Sequence, residues 1–202
     1  LGSHTRMQMA LGVSDYNEVA ARIQEYIKPE IPESLGDKIS KVMHLAEARN
    51  FLPKLVKNAP CQEVVVLSEN SPEEKLLDKL PIIKCWPEDA GSFITLTSVF
   101  TKDPDKLGSG RNVGMYRLQK FNNVTTAMHW HKHHDGSHNY QKSLKKLSHM
   151  EIAIAIGTDP AVTYASTAPL PPGIDEMILA GFIRNKAVEL VQCKTIDIQV
   201  PA

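Results

Sequence analysis

The chain has 202 residues, 42% of them hydrophobic, enough to bury a core in one domain or two small ones. Its 23 Lys and Arg balance 23 Asp and Glu, so it lacks the single-sign field that grips a phosphate backbone or an anionic membrane surface. The longest apolar stretches, 64–67 and 152–156, are far shorter than the about 20 residues needed to cross a bilayer, which argues against a membrane span.

Cys61, Cys85 and Cys193 are odd in number and scattered, without a Cys-x-x-Cys pair. That pattern predicts reduced thiols, packed as small buried apolar residues, in a cytoplasmic protein. Residues 1–11 carry no initiator Met, basic n-region or apolar h-region, and the alternation of Ile196, Ile198 and Val200 runs into Pro201 and Ala202 with no closing element. Both ends therefore read as cut, and Gly2-Ser3-His4 reads as either a cloning scar or native sequence.

Asp15 followed by Glu18 has the form of a capping box, and Val19, Ile23 and Ile27 recur at helical spacing. Pro29, Pro32 and Gly36 end that helix, and Ile39, Val42, Met43 and Ala46 mark a second one that closes near Pro53. Beyond this helical opening, β-branched runs predict strands at 63–67, 93–101, 115–121, 124–131, 151–156, 188–193 and 196–200. Asn122-Asn123 suits a tight hairpin turn because Asn tolerates positive φ. Helices are expected at 141–147, at 160–165 behind an Asp159 cap, and at 175–183, and the turn-rich stretch 102–111 is the one loop-like connection. The class is α+β, a strand-rich body with helices at its edges, and an open or split barrel is the preferred architecture.

Six of the eight histidines fall between His129 and His149. On a strand, His129, His131 and His133 would share a face, which is either metal-ligand geometry or a polar face turned to water. Asn112 and Arg117 follow a loop with Gly108 and Gly110, and Gly114 lies between them, so backbone amides can approach an anion closely. Asn112 offers an oxygen ligand or an amide donor, and Arg117 a planar fork for carboxylate or phosphate; a turn Asn and a surface Arg are the plainer readings. Ser166 opens a proline-stiffened loop that leads into a helix with Asp175 and Glu176 in its first turn. Those carboxylates either complement the helix dipole or hold a metal-bridged phosphate.

Several segments in register resemble the UbiD family of prenylated-FMN-dependent decarboxylases. They are Pro81-Ile-Ile-Lys-Cys-Trp-Pro-Glu-Asp-Ala-Gly-Ser-Phe-Ile-Thr, Asp103-Pro104, Asn112-Val-Gly-Met-Tyr-Arg117, Met128-His-Trp130, Ala155-Ile-Gly-Thr-Asp-Pro160, Ala168-Pro169, Ala180-Gly181 and Cys193-Lys-Thr-Ile-Asp-Ile-Gln-Val-Pro201. Gly2-Ser-His-Thr-Arg6 also resembles the family's own sequence. The resemblance implies an FMN-binding split-barrel-like domain with flanking helices at 81–202, truncated at its C-terminal end, behind a helical or mixed N-terminal segment at 1–80.

The resemblance also implies a non-oxidative carboxy-lyase acting on an aromatic or unsaturated acid, with 4-hydroxy-3-polyprenylbenzoate of quinone biosynthesis as the example. Its implied cofactors are prenylated FMN, Mn2+ or Mg2+, and K+. The implied cofactor-binding residues are Asn112, Gly114, Met115, Tyr116, Arg117, Lys132, His133, Ser166, Ala168, Pro169 and Glu176. Of these, Asn112, His133 and Glu176 are the metal ligands, with His131 and His134 as rivals of His133, and Arg117 is the catalytic arginine that orients the substrate carboxylate. Implied partners are a flavin prenyltransferase that supplies the cofactor and further copies of the chain in a homo-oligomer. The family's proton-relaying glutamate pair lies downstream of the matched segments, so the chain alone is expected to be inactive. The alternative is a non-catalytic flavin- or metal-binding module. A flavin reductase ranks last, for want of a Gly-x-Gly-x-x-Gly fingerprint.

Overall fold

The computed structural model describes residues 2–27, 49–67, 76–106, 110–147, 149–171 and 174–202. It is an α+β protein with five helices and nine short strands among those residues. Strands β2 (Phe93–Ile94), β3 (Ser98–Lys102), β4 (Arg111–Met115) and β5 (Arg117–Lys120) form one bent hairpin. Its inner half pairs Ser98 with Met115 through Lys102 with Arg111, and its outer half pairs Ile94 with Leu118. The bend falls where Leu96 takes a left-handed φ of 56°, a conformation that costs an L-residue about 1 kcal/mol. Across the bend the Thr97 hydroxyl donates to the Tyr116 carbonyl. The runs expected as continuous strands at 93–101 and 115–121 are thus each divided, and the two halves of the hairpin enter different sheets.

The inner half joins β7 (Ala153–Ala155) in the order β4-β3-β7, and the outer half joins β6 (Thr126–His129) in the order β2-β5-β6. A third sheet pairs β1 (Lys54–Leu55) in parallel with β8 (Glu189–Gln192), and β8 in antiparallel with β9 (Gln199–Pro201). All three sheets have three strands, and among the described residues they close into no barrel.

Strand β3 is buried on both faces, so its period-two alternation feeds two cores. Phe100 faces Val113, Val162, Ala165, Met177, Ala180, Leu190 and Ile198. Val99 belongs with Ile94, Tyr116 and Leu118. Helices α4 (Pro160–Ala165) and α5 (Glu176–Arg184) cover the Phe100 face, and α3 (Asp135–Leu147) lies against the other, where Asn139 Nδ2 donates to the buried Thr101 hydroxyl at 3.0 Å. Asp159 caps α4 through the Ala161 amide and Asp175 caps α5 through the Met177 amide.

Helices α1 (His4–Leu11) and α2 (Tyr16–Ile27) dock on this body through arginines. Arg22 donates to the Phe182 and Ile183 carbonyls at the end of α5, and Arg184 bridges Asp159 and the Ala10 carbonyl. At Gly181 the chain passes so closely that an added Cβ would sit 2.6 Å from the Phe51 carbonyl oxygen.

Several expectations need correction. No strand forms at 63–67, where Val64, Val65 and Val66 are exposed rather than paired. Strand β6 stops at His129, so His131 and His133 lie in the following turn and the three histidines share no strand face. Asn122 turns the β5–β6 connection without positive φ; its Oδ1 accepts from the Val124 and Thr125 amides instead. Cys61 and Cys85 are exposed rather than buried, whereas Cys193 is half-buried and packs against the Phe100 core.

Helix α3 starts at Asp135 rather than 141, because its buried positions are Gly136, Ser137, Asn139 and Ser143, which carry no apolar periodicity. Asp15 caps α2 through the Asn17 amide, and α1, with its Ser3 cap, adds a further helix to the helical opening. The second expected helix, around residues 39–46, lies outside the described residues. Among the described residues no helix is long and apolar enough to cross a membrane.

Candidate functional site

Strand β4 is the edge of its sheet, and an open edge presents unpaired amides. Two of these, at alternate positions, are satisfied by the segment joining α4 to α5. The Val113 amide donates to Glu176 Oε2 at 3.0 Å, and the Met115 amide donates to the Ser166 carbonyl at 3.0 Å. This docking draws Glu176, the first residue of α5, onto the side chain of Asn112, whose Nδ2 donates to Glu176 Oε1 at 3.0 Å. A second contact fixes the same junction: Arg111 is ion-paired with Asp175, the α5 cap, and reaches Gln199 Oε1 at 3.2 Å.

Glu176 is only 5% exposed. Burial pushes its carboxyl up to about 7, and the nearby charges of Asp175 and Asp135 push the same way, against hydrogen bonds from its own amide and that of Val113. Asn112 Oδ1 is buried and has no hydrogen-bond partner. An orphaned amide oxygen beside a carboxyl that is hard to ionise is an arrangement completed by a proton donor or a cation.

The histidine turn is held next to this strand. Tyr116, one residue beyond β4, is buried, and its hydroxyl lies against Gly114 and against Gly136 at the start of α3. Its ring stands 5.4 Å from that of His134 and 5.7 Å from that of Trp130. Burial raises the Tyr116 hydroxyl above its usual range, and Asp135 and Glu176 add to the rise, so α3's first residue and Glu176 act on one locality. Lys132, His133 and His134 are exposed on the turn; the His131 amide donates to His134 Nδ1 at 3.3 Å. Among the described residues, no three His, Cys, Asp or Glu side chains converge on one point.

Arg117 opens β5 on the far side of the bend. Its guanidinium lies 3.8 Å from the Phe93 ring centroid, NH2 donates to Asp89 Oδ2 at 3.0 Å, and Nε is buried without a partner. Asp89 is itself fixed by a turn, accepting from the Trp86 amide at 3.2 Å. Asp89 and Phe93 thus clamp an arginine that retains unused donor capacity, an arrangement suited to a planar anion. Neither residue carries a chemical signal of its own in the sequence beyond its place in the Trp86–Phe93 segment, three to seven residues along a turn into β2.

Ser166 is buried; its hydroxyl donates to the Val162 carbonyl at 2.8 Å and lies 2.9 Å from Ser98 Oγ. Ala168 is half-buried, with its carbonyl accepting from Leu170, and Pro169 is exposed. Gly114 and Met115 lie on β4 itself.

The family model of the UbiD 3-octaprenyl-4-hydroxybenzoate carboxy-lyase Rift-related domain matches residues 54–202. The chain belongs to the UbiD family. Over all 202 residues it is 41% identical to a protein of Aquifex aeolicus and 44% identical to one of Archaeoglobus fulgidus, and it spans 40% of the length of each. The UbiD-class enzyme HmfF from Pelotomaculum thermopropionicum, in an evolved dimeric form in complex with prFMN, superposes with a TM-score of 0.76 at 27% identity, over the whole chain and 41% of HmfF. The same enzyme in complex with FMN gives 0.74 at 29%, covering 39% of it. Vanillic acid decarboxylase of Sedimentibacter hydroxybenzoicus, in closed form, gives 0.76 at 25%, over 99% of the chain and 39% of the enzyme.

Proposed function

We propose that this UbiD-family chain is the cofactor-binding part of a non-oxidative decarboxylase of an aromatic or unsaturated acid, with residues 81–202 as the split-barrel cofactor domain and 1–80 as an N-terminal segment. The observation that carries this reading is the contact between Asn112 and Glu176 beside an unpartnered Asn112 oxygen. A divalent ion fits that donor set: one amide oxygen, a carboxylate that gains from ionising beside positive charge, and imidazole from the adjoining turn. Mg2+ and Mn2+ both favour such oxygen-rich sites.

In this reading Asn112, Glu176 and His133 hold the metal, with His131 and His134 as alternatives to His133. Gly114, Met115, Tyr116, Lys132 and the Ser166, Ala168 and Pro169 segment line the flavin phosphate, with K+ taken by backbone carbonyls of that segment. Bound prenylated FMN supplies the electron sink that loss of carbon dioxide from an sp2 carbon requires.

The chain's own residues orient and exclude. Arg117, braced by Asp89 and Phe93, presents its remaining donors to the substrate carboxylate, fixing the carbon that loses it. The Tyr116, Trp130 and His134 rings wall the neighbouring side against water. Proton return to the product carbon is assigned to a glutamate pair beyond the matched segments, so the chain by itself is read as binding rather than turning over. A 4-hydroxy-3-polyprenylbenzoate of quinone biosynthesis is the substrate example, a flavin prenyltransferase the cofactor supplier, a homo-oligomer the assembly and the cytoplasm the compartment.

Native mass spectrometry with elemental analysis, on protein produced together with a flavin prenyltransferase, tests the reading. It expects prenylated FMN and one divalent metal per chain. Metal without flavin would favour a non-catalytic metal-binding module, and neither ligand would overturn both.

A further inference from the structure

A second locality lies away from Asn112 and Arg117, where a cavity of about 750 Å3 opens between β7 and the β8–β9 hairpin. Two of the three cysteines, Cys61 and Cys193, line it together. They come from segments 132 positions apart, and specific bonds hold those segments abreast. The Lys54 and Val56 amides donate to the Val188 and Leu190 carbonyls, which lays the first segment along β8. The chain then turns through a short 3-10 helix at Pro60–Gln62, and Gln62 Nε2 donates to the Gln192 carbonyl at 2.8 Å. This last bond joins the residue after Cys61 to the residue before Cys193. Cys193 is itself fixed, its amide donating to the Ile198 carbonyl at 2.8 Å.

We propose that Cys61 and Cys193 form a reversible dithiol–disulfide site that, when oxidised, staples the 60–62 turn onto the β8–β9 hairpin. Both thiols are free, Cys61 is exposed and Cys193 is half-buried. Burial raises the Cys193 thiol, and the proximity of Cys61 raises it further, which is the mark of two thiols in each other's field. The two positions therefore divide the work by exposure.

The oxidant is a peroxide. Cys61, as thiolate, attacks one peroxide oxygen; the O–O bond breaks, the released hydroxide takes a proton to become water, and Cys61 becomes a sulfenic acid. Cys193 then loses its proton and attacks the Cys61 sulfur, forming the S–S bond while the sulfenic oxygen leaves as a second water. Two thiols are oxidised by two electrons and one peroxide is reduced to two waters. A dithiol such as reduced thioredoxin reverses the step by exchange. Cys61 lies on a three-residue turn at the surface, outside the strands of the sheet that carries β8 and β9.

The test exposes reduced, folded protein to hydrogen peroxide, caps remaining thiols by alkylation and maps peptides without reduction. The expected result is one intramolecular Cys61–Cys193 linkage, with Cys85 still alkylated, and restoration of both thiols by dithiothreitol. Cys61→Ser and Cys193→Ser should each abolish the linkage, with Cys193→Ser trapping sulfenic acid at Cys61. A linkage to Cys85, a linkage that forms only in urea, or Cys61 driven to sulfinic acid while Cys193 remains alkylatable would overturn the proposal.

Discussion

Asn112 and Glu176 stand 64 positions apart in the chain and meet at 3.0 Å, because the edge of β4 needs a partner for the Val113 amide and the start of α5 supplies one. The same carboxyl serves the strand and the amide, so structure and chemistry are coupled there. Two consequences of that contact can be measured, and two more of the contacts at Arg117 and Gly181.

Glu176 makes stability depend on pH. Its folded carboxyl titrates at about 7, above its ordinary 4.5, so the folded state holds the proton more tightly than the unfolded state does. The resulting stabilisation is fully present below about 4.5 and is lost as pH rises through about 7, by on the order of 3 kcal/mol in metal-free protein. Urea denaturation at pH 5 and pH 8 should show that loss in the wild type and a much smaller one in Glu176→Gln. An equal pH dependence in both proteins would contradict the burial argument.

A divalent cation should reverse that loss by stabilising the ionised carboxylate. At pH 8, Mn2+ or Mg2+ at 100 times its dissociation constant is expected to add about 2.7 kcal/mol of stability. Asn112→Ala and Glu176→Gln should each abolish the shift in thermal unfolding. A shift that survives in both would place the ion elsewhere.

Arg117→Ala should abolish decarboxylation, by about 100-fold or more, in a protein that also carries the remaining length of its UbiD relatives. Arg117→Lys should not restore it, because an ammonium lacks the planar fork that stacks on Phe93 and pairs with Asp89. Asp89→Asn, which loosens the clamp without removing the donor, should raise KM more than it lowers kcat. Steady-state kinetics on the three variants decides this, and full activity in Arg117→Ala would remove the assigned role.

Gly181→Ala should destabilise by about 2 kcal/mol or more, because the new methyl meets the Phe51 carbonyl oxygen at 2.6 Å and backbone cannot swing aside. Gly2→Ala, with open space around it, serves as the neutral comparison. Chemical denaturation of the two side by side tests whether the 49–51 turn is pressed against α5 as tightly as described.

Much of the local structure was legible before any coordinates. Helix α4 begins at the proline behind Asp159 because an Asp cap and an N1 proline are chemical signals carried by adjacent residues. Helix α5 and strand β8 fell within a residue or two of expectation for the same reason: their apolar periodicity is local. Helix α3 was half missed, since its buried face is Gly, Ser and Asn, and such a face is recognised only through the partners it meets, Thr101 and Tyr116.

The candidate site divides in the same way. Residue chemistry marked Asn112, Arg117 and the pair Asp175 and Glu176, because an amide, a guanidinium and helix-starting carboxylates are legible in a string of letters; only the family resemblance favoured Glu176 over Asp175. It also put three histidines on one strand face, which the early end of β6 at His129 undid. Tertiary structure alone decided that Glu176 would be buried against Asn112, that Asp89 and Phe93 would clamp Arg117, and that Cys61 would share a cavity with Cys193. The physical reason is range: capping and periodicity are interactions between near neighbours, whereas desolvation, strand-edge pairing and the bend at Leu96 depend on segments that only folding brings together.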